Sequence, residues 1–336
     1  MSHRILPFQK EGRFFNHAEE ERSSIFLRSV FMYCAGWRMR NSGLHELAQW
    51  HQQQEHEACS VQLARVADQP QVAQPQITWI GHASFLIQLA DYTILTDPVF
   101  SDLTMLFKRI QQPGIAREQL PRIDAVLVSH NHRDHMERET LQYIAQKFPE
   151  CIFLVPQGDN VWLRKWGIDR GVELTWWNQH TLARPGAADS VTLTFLPAYH
   201  WSQRSVFDMN KSLWGSWMIE SAGKRIYFAG DTAYGKHFDS IAKEFNGMDC
   251  VLMPIGPCEP NEWMKKSHIN AEEAGRAFLE LGAQKMIPMH WGTYKFGMDR
   301  PLVPIERLMS WWEQEGAKNV ERMVLPLKIG GSTILM

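Results

Sequence analysis

The chain lacks the patterns that mark several common classes of protein. Five cysteines occur in 336 residues and none forms a C-x-x-C pair, which argues against a disulfide framework and favours a reducing compartment. No Gly-x-Ser-x-Gly elbow is present, so the sequence offers no serine nucleophile of the α/β-hydrolase type. The formal net charge is −2 without a basic block, and no nucleic-acid partner is therefore expected.

Long apolar runs are also missing. No stretch approaches the roughly 20 apolar residues that span a bilayer. Charged side chains, beginning with Lys10 and Arg13, interrupt the first residues before any apolar stretch, so no signal peptide is predicted. Hydrophobic residues nevertheless make up 44% of the chain, enough for one large core or two moderate ones. We therefore expect a cytoplasmic protein whose membrane contact, if any, is peripheral.

One six-residue run, His130-Asn-His-Arg-Asp-His135, carries three imidazoles and a carboxylate. It follows the apolar stretch 124–129, which predicts a buried strand, so the run begins where that strand ends. Imidazole nitrogens and carboxylate oxygens are ligands of zinc and related divalent ions. A solvated polar loop is the alternative, but so many ligand groups after a buried strand favour a metal site.

Further candidate ligands directly follow other apolar stretches that predict strands: His200, Asp231 and His290. Loops at strand ends are where functional sites are usually built. Taken singly, each residue could be a half-buried aromatic or a helix cap. Their recurrence at several strand ends predicts one shared site.

Several short strings accompany these ligands. They include Thr78-Trp-Ile-Gly-His-Ala83, Leu95-Thr-Asp-Pro98, Leu213-Trp-Gly-Ser-Trp217, Ala229-Gly-Asp-Thr232 and Met289-His-Trp-Gly-Thr293. The order of the motifs resembles the metallo-β-lactamase superfamily over roughly residues 75–336. Within it, the Trp-Gly-Ser-Trp and His-Trp-Gly-Thr strings resemble more narrowly the phospholipase D family that hydrolyses N-acylphosphatidylethanolamine.

The resemblance implies a ligand set, carried over position by position. One metal ion would be held by His130, His132 and His200. A second would be held by Asp134, His135 and His290, with Asp231 bridging the two. The implied cofactors are two divalent ions, with zinc expected and iron or manganese as alternatives, because His/Asp sites accept all three.

Asp134 and His268 are the candidate catalytic residues. His268 precedes Asn270-Ala-Glu-Glu273, a capping box that predicts a helix over 271–281. The matching histidine of the resembling family lies beside the metals without binding them, which implies an orienting role or protonation of the leaving group. The alternative is that His268 merely leads into the helix.

Three other residues near these motifs have expected roles. Asp97, in Leu-Thr-Asp-Pro, is expected to orient a ligand imidazole. His82 is interpreted as structural. Cys258 could line the site, although a small core residue is the favoured interpretation.

The predicted elements suit an αββα sandwich, the metallo-β-lactamase fold, in which two β-sheets pack face to face with helices outside. Residues 76–336 would form this hydrolase domain, and residues 1–75 a helical extension and linker. Strands are predicted at 77–81, 84–89, 93–96, 124–129, 152–155, 172–176, 191–197, 214–219, 225–229, 249–253, 285–289, 322–326 and 332–335. Helices are predicted at 23–40, 43–66, 138–147, 159–166, 236–245, 271–281 and 304–315.

The segment from Arg22 to Arg40 has four arginines and no acid, with an aromatic stripe that includes Phe26 and Trp37. A basic amphipathic helix with aromatics can lie in a lipid interface. The alternatives are packing on the catalytic domain or on a second subunit, so a homodimer also stays open.

Together these features predict a dinuclear metal-dependent phosphodiester hydrolase. The resemblance implies a phospholipase D that releases N-acylethanolamine and phosphatidic acid from N-acylphosphatidylethanolamine or a related phospholipid. Two divalent ions about 3.5–4 Å apart can supply a hydroxide near neutral pH, which removes the need for a Ser or Cys nucleophile. The alternatives are a lactonase or esterase on a soluble substrate such as a sugar-phosphate lactone, and a non-catalytic metal scaffold.

Overall fold

The structure is a computed structural model that describes residues 3–16, 49, 75–105, 107–187, 189–316, 318 and 321–335. The helices predicted over 23–40 and 43–66 lie outside these residues, apart from Gln49, so they stay predictions. No helix in the described part of the chain is both long and apolar enough to cross a membrane.

The strands are numbered in chain order. A short hairpin consists of β1 (Phe8–Lys10) and β2 (Arg13–Phe15). Then come β3 (Gln76–Gly81), β4 (Ser84–Leu89), β5 (Tyr92–Thr96), β6 (Ala125–Leu127), β7 (Ile152–Pro156) and β8 (Gly171–Leu174). The second half of the chain contributes β9 (Gln179–Leu182), β10 (Val191–Leu196), β11 (Ser216–Ser221), β12 (Lys224–Phe228), β13 (Cys250–Pro254), β14 (Lys285–Met289), β15 (Met323–Val324) and β16 (Ser332–Ile334).

These strands form two seven-stranded sheets in addition to the hairpin. The first has the order β16-β3-β4-β5-β6-β7-β8 and the second the order β15-β14-β13-β12-β11-β10-β9. From β5 to β8 and from β12 to β15 the neighbouring strands are parallel. Strands β10, β12, β13 and β14 run in one direction, because β11 is antiparallel to both β10 and β12. Their carboxyl ends therefore meet at one edge of the second sheet.

The helices lie outside the sheets. They are α1 (Arg138–Lys147), α2 (Asn160–Lys165), α3 (His237–Glu244), α4 (Asn261–Met264), α5 (Ala271–Glu280) and α6 (Val303–Trp311), the last continued by a π-turn at Trp312–Gly316. The predicted capping box is present at the start of α5, where the Asn270 side chain accepts from Glu273 N and Glu273 accepts from Asn270 N. This pair satisfies two helix-end donors and fixes where α5 begins.

Alternation along the strands divides the core into two layers. In β4, Phe85 and Ile87 belong to the cluster between the sheets, whereas Leu86 belongs to a second cluster under α1 and α2. Trp79 and Trp217, both fully buried, are among the largest side chains between the sheets. A strand with apolar residues on both faces is expected where a sheet is covered on both sides. The predicted αββα sandwich is thus confirmed.

The predicted elements agree with the observed ones to within about two residues where both exist. The strand predicted at 214–219 is β11, which begins at Ser216, because Gly215 N instead donates to Ser129 O, just beyond the end of β6. Strands β1, β2 and β9 and the short helix α4 had not been predicted. All four are three or four residues long, too short for a hydrophobic period to mark them.

Candidate metal centre

The seven candidate ligands meet at the carboxyl ends of the strands. His130 follows β6, His200 follows β10, Asp231 follows β12 and His290 follows β14. The backbone is unusual here: Asp97 and His290 have φ of 33° and 63°, in the left-handed region. Non-glycine residues seldom adopt this region, and such residues cluster at functional sites where the surroundings hold them.

The histidine trio consists of His130, His132 and His200. His132 Nδ1 lies 2.8 Å from His130 Nε2 and 3.2 Å from His200 Nε2. His130 and His200 are fully buried, and burial is the main reason that the pKa of each lies well below its usual value. Burial likewise lowers the pKa of His132 to about 4. Three neutral imidazoles therefore direct nitrogens at one point.

The mixed trio consists of Asp134, His135 and His290. Asp134 Oδ2 lies 3.3 Å from His135 Nε2 and 3.9 Å from His290 Nε2. Burial disfavours the charged form of His135, but Asp231 and Asp134 outweigh burial and hold its pKa well above the usual value. Asp134 and Asp231 thus place two carboxylates against His135, and carboxylates in this position attract cations.

Asp231 lies between the two trios. Its Oδ1 is 3.2 Å from His290 Nε2, and its Oδ2 is 3.3 Å from His135 Nε2 and 3.9 Å from His200 Nε2. Burial alone would raise the pKa of Asp231, but His135 and His290 hold it well below the usual range. A carboxylate in this position can share its two oxygens between two ions.

Hydrogen bonds at the far side of each ring fix which nitrogen faces the site. His200 Nδ1 donates to Ser267 O at 2.7 Å, and His290 Nδ1 donates to Gly256 O at 3.0 Å. His135 Nδ1 donates to Asp97 Oδ2 at 2.7 Å, which is the orienting contact expected for Asp97. Nδ1 is thus occupied in all three rings, and Nε2 is the nitrogen that faces the site and can bind a metal.

Ser129 orients His130 through Asp97. The Ser129 hydroxyl donates to Asp97 Oδ2 at 2.5 Å, so it can accept from His130 Nδ1 at 2.9 Å. The main-chain N–H of Ser129 donates to Asp97 Oδ1 at 2.7 Å. One buried carboxylate thus orients His130 through Ser129 and His135 directly.

The donor set fits divalent metal ions. Among the described residues, several buried site atoms have no hydrogen-bond partner, including His135 Nε2, His290 Nε2 and Asp231 Oδ1. Buried polar atoms are seldom left unsatisfied, so these atoms indicate a missing ligand. Nitrogens bound to one tetrahedral zinc lie about 3.3 Å apart, which agrees with the spacings found here.

His268, the second catalytic candidate, lies beside this cluster. Its Nδ1 is 3.7 Å from Asp231 Oδ2, and its side chain is 18% exposed, as against 16% for Asp134. Burial lowers the pKa of His268 to about 4, so the ring is neutral at pH 7. The site therefore opens to solvent near Asp134 and His268. His200, Asp231 and His268 are also close enough to share an ion.

Two residues of the site had not been recognised in the sequence. His82, interpreted as structural, donates from Nε2 to Asp134 Oδ2 at 3.0 Å and packs its ring 4.1 Å from that of His290. Asn16, in the N-terminal segment, contacts the main chain of His200. The glycine before His82 in the Gly-His-Ala string was the sequence signal that could have identified His82 as a site residue. No local sequence pattern marks Asn16. Cys258 is buried in the core, as favoured.

A recess that is open to solvent adjoins His290. Its walls are mostly aromatic and proline side chains, among them Tyr294, Phe296 and Pro257, with Lys295 and Arg300 also lining it. Such a lining offers a molecule bound next to the cluster apolar surface, two cationic side chains and one carboxylate, Asp299.

The family of the chain follows from a direct match. The family model described as the beta-lactamase superfamily domain matches residues 92–291, more than half of the 336 residues. The chain therefore belongs to the β-lactamase superfamily. Its cluster of histidines and aspartates could hold metal ions.

Within the superfamily the chain is similar to two curated phospholipases. It is 34% identical over 231 residues to the N-acyl-phosphatidylethanolamine-hydrolyzing phospholipase D 1 of Caenorhabditis elegans, covering 66% of this chain and 64% of the relative. It is 36% identical over 249 residues to the mitochondrial enzyme of the same description from Saccharomyces cerevisiae, covering 72% and 53%. The chain thus spans less than two thirds of the length of these relatives.

Solved structures share the fold. A metallo hydrolase from the hyperthermophilic archaeon Ignicoccus hospitalis superimposes with a TM-score of 0.59 at 20% identity. The match covers 79% of this chain and 99% of that one. At this identity the likeness shows the fold alone.

Proposed function

We propose that the protein is a dinuclear phospholipase D that hydrolyses N-acylphosphatidylethanolamine or a closely related phospholipid. The observation that carries the proposal is the convergence of seven buried or half-buried histidines and aspartates, arranged as two trios with Asp231 between them. Seven ligands exceed what one four-coordinate ion can use, so two ions are proposed, with zinc first and iron or manganese as alternatives. The named relatives support the choice of substrate.

The reaction would add water to phosphorus and break the bond between phosphorus and the ethanolamide oxygen. Two divalent ions bound here would supply a nucleophile near neutral pH and neutralise charge on the phosphoryl oxygens. Ser267 O, Gly256 O and Asp97 hold three of the imidazoles with Nε2 directed inwards. The products would be phosphatidic acid and N-acylethanolamine, and the departing alkoxide needs one proton.

His268 is proposed to deliver that proton. It lies at the open side of the cluster, is neutral at pH 7, and its Nδ1 has no hydrogen-bond partner in the described part of the chain. A neutral imidazole can take a proton released by the attacking water and pass it to the leaving oxygen. His268→Ala should therefore keep both ions and lower kcat by about 10²–10⁴-fold.

A change of leaving group separates this role from metal binding. Bis(p-nitrophenyl) phosphate releases a phenolate that needs no proton, so the loss caused by His268→Ala should be much smaller with this diester. An equal loss with both substrates, together with loss of one ion, would make His268 a ligand instead.

Exposed apolar side chains on two loops near the cluster support a lipid substrate. Met105 is 90% exposed, and Phe207 is 80% exposed. The first loop reaches the site through Phe107, which contacts Phe296. The second reaches it through Arg204, which donates to Asn131 O in the ligand run. These side chains could enter a bilayer surface. Membrane contact was also one of the roles left open for the segment 22–40, which lies outside the described residues.

The test is hydrolysis of N-acylphosphatidylethanolamine in ¹⁸O-labelled water, with product analysis by mass spectrometry. Attack at phosphorus places the label in phosphatidic acid and none in N-acylethanolamine. A parallel panel should contain phosphatidylcholine, a sugar-phosphate lactone and a nucleotide diester. Faster turnover of the lactone than of any phospholipid would reject the phospholipase and favour the alternative of a soluble ester.

A further inference from the structure

The loop that carries His200 has no regular structure of its own to hold it. It connects β10, which ends at Leu196, to β11, which begins at Ser216. A ligand on so long a loop needs contacts from elsewhere in the fold, because loops are otherwise mobile. The His200 ring is held at Nδ1 by Ser267 O, but a hydrogen bond at the ring leaves the main chain of His200 to be fixed separately.

Asn16 makes that second attachment. Its Oδ1 accepts from His200 N at 3.1 Å, and its Nδ2 donates to His200 O at 3.1 Å. The amide thus pairs with both main-chain groups of His200, as a residue of a neighbouring strand would. Its Oδ1 also accepts from Trp214 Nε1 at 3.1 Å, which fixes the amide orientation. Asn16 is 7% exposed, so water does not readily replace these bonds.

The β1–β2 hairpin brings Asn16 to this position. Asn16 directly follows β2, in which Phe14 and Phe15 are buried against the domain. Phe14 N donates to Asn210 O at 2.8 Å, and Arg13 donates to Met209 O. Both acceptors lie on the same loop as His200. The hairpin therefore contacts the loop at two separate places.

We infer that Asn16 is a positioning residue of the metal centre, which makes the N-terminal hairpin part of the site that holds the ion of the histidine trio. The inference rests on the proposed metal centre. Asn16 acts on the main chain of His200 and thereby on where His200 Nε2 points. Without the amide, two buried main-chain groups lose their partners, and an unsatisfied buried group is costly enough to displace the loop.

The test compares Zn²⁺ binding to four purified full-length proteins: wild type, Asn16→Ala, Asn16→Asp and the control Arg4→Gln. Arg4 anchors the same segment through an exposed ion pair with Glu244, which is not one of the candidate ligands. Chelator competition measures the two ions separately. Asn16→Ala should bind one Zn²⁺ about 10–100-fold more weakly, the range typical of residues that support metal ligands, and leave the other unchanged.

Asn16→Asp keeps the inference testable if the alanine variant fails to fold. The carboxylate has the same shape and still accepts from His200 N and Trp214 Nε1, but it cannot donate to His200 O. Asn16→Asp should fold and should bind the same Zn²⁺ ion more weakly than the wild type does. It should also change the visible d–d spectrum of a Co²⁺-substituted protein, whereas loss of a merely structural contact would not. Arg4→Gln should leave the spectrum and both affinities unchanged.

The possible results are distinct. Folded Asn16 variants that hold both Zn²⁺ ions as the wild type does would overturn the inference and leave the proposed function intact. If the Asn16 variants bound both Zn²⁺ ions more weakly to the same extent, and Arg4→Gln did so too, the hairpin would have only a general structural role and the inference would be overturned. A wild-type protein that binds no Zn²⁺, Fe²⁺ or Mn²⁺ would overturn the proposed function as well.

Discussion

The two halves of the candidate metal centre differ in charge and in how they are held. The histidine trio contains neutral imidazoles alone, and its outer contacts are main-chain and uncharged groups: Ser129, Ser267 O and Asn16. The mixed trio contains a carboxylate, and its outer contacts include Asp97 and His82. A bound ion would keep more of its positive charge in the first half, which suits activation of a water or a phosphoryl oxygen.

The most damaging single change should be at Asp231, which both halves share. Asp231→Asn keeps the size of the side chain but removes the negative charge between His135 and His290. We expect loss of both ions and a fall in turnover beyond the roughly 100-fold upper limit seen for residues that only support ligands. Metal analysis by mass spectrometry checks this. Retention of one tightly bound ion would show that Asp231 belongs to one half alone.

Single-ligand variants should separate the halves. His130→Ala should empty the histidine trio, and His290→Ala should empty the mixed trio. Each variant should keep about one ion per chain, because the altered trio has one protein ligand fewer than the three that a catalytic zinc normally has. Metal content of the two variants, measured side by side, is the comparison. If either variant lost both ions, the halves would be one cooperative site and not two.

The features that could be predicted from the sequence are those encoded by a pattern within one short stretch of it. Strands β4 and β14 and helix α1 have the predicted bounds because their apolar period is visible within one window. The candidate ligands were recognisable because each follows such a strand. The contacts that orient them join distant residues: His82 and Asp134 are 52 positions apart, and Asn16 and His200 are 184 apart. No local pattern encodes such pairs, so only the folded chain reveals them.

Replacement of His82 should lower the affinity of the mixed trio for its metal ion. His82 has φ of 56°, which asparagine tolerates, so His82→Asn removes the ring with little strain in the backbone. The shorter side chain cannot reach Asp134, and affinity for one ion should fall by about 10–100-fold. Chelator competition on His82→Asn and Asn16→Ala, measured side by side, should show that each variant binds a different one of the two ions more weakly. The same ion released in both would contradict the division into halves.

The smallest effect concerns Asp159, which accepts from the Asn131 side chain between His130 and His132. Burial raises the pKa of Asp159 from 3.8 to about 7. Between these values the folded state binds more protons than the unfolded state, so this group makes stability fall as pH rises. Asp159→Asn should raise Tm relative to wild type more at about pH 8 than at about pH 5. A difference in Tm that is independent of pH would refute the assignment.

The central claim is that two ions, one in each half, are needed for hydrolysis. The direct measurement is turnover of N-acylphosphatidylethanolamine as Zn²⁺ is added back to metal-free protein, with bound metal determined by elemental analysis at every point. The account predicts that activity keeps rising until two ions are bound per chain. Full activity at one ion per chain, with no gain on adding more metal, would contradict it.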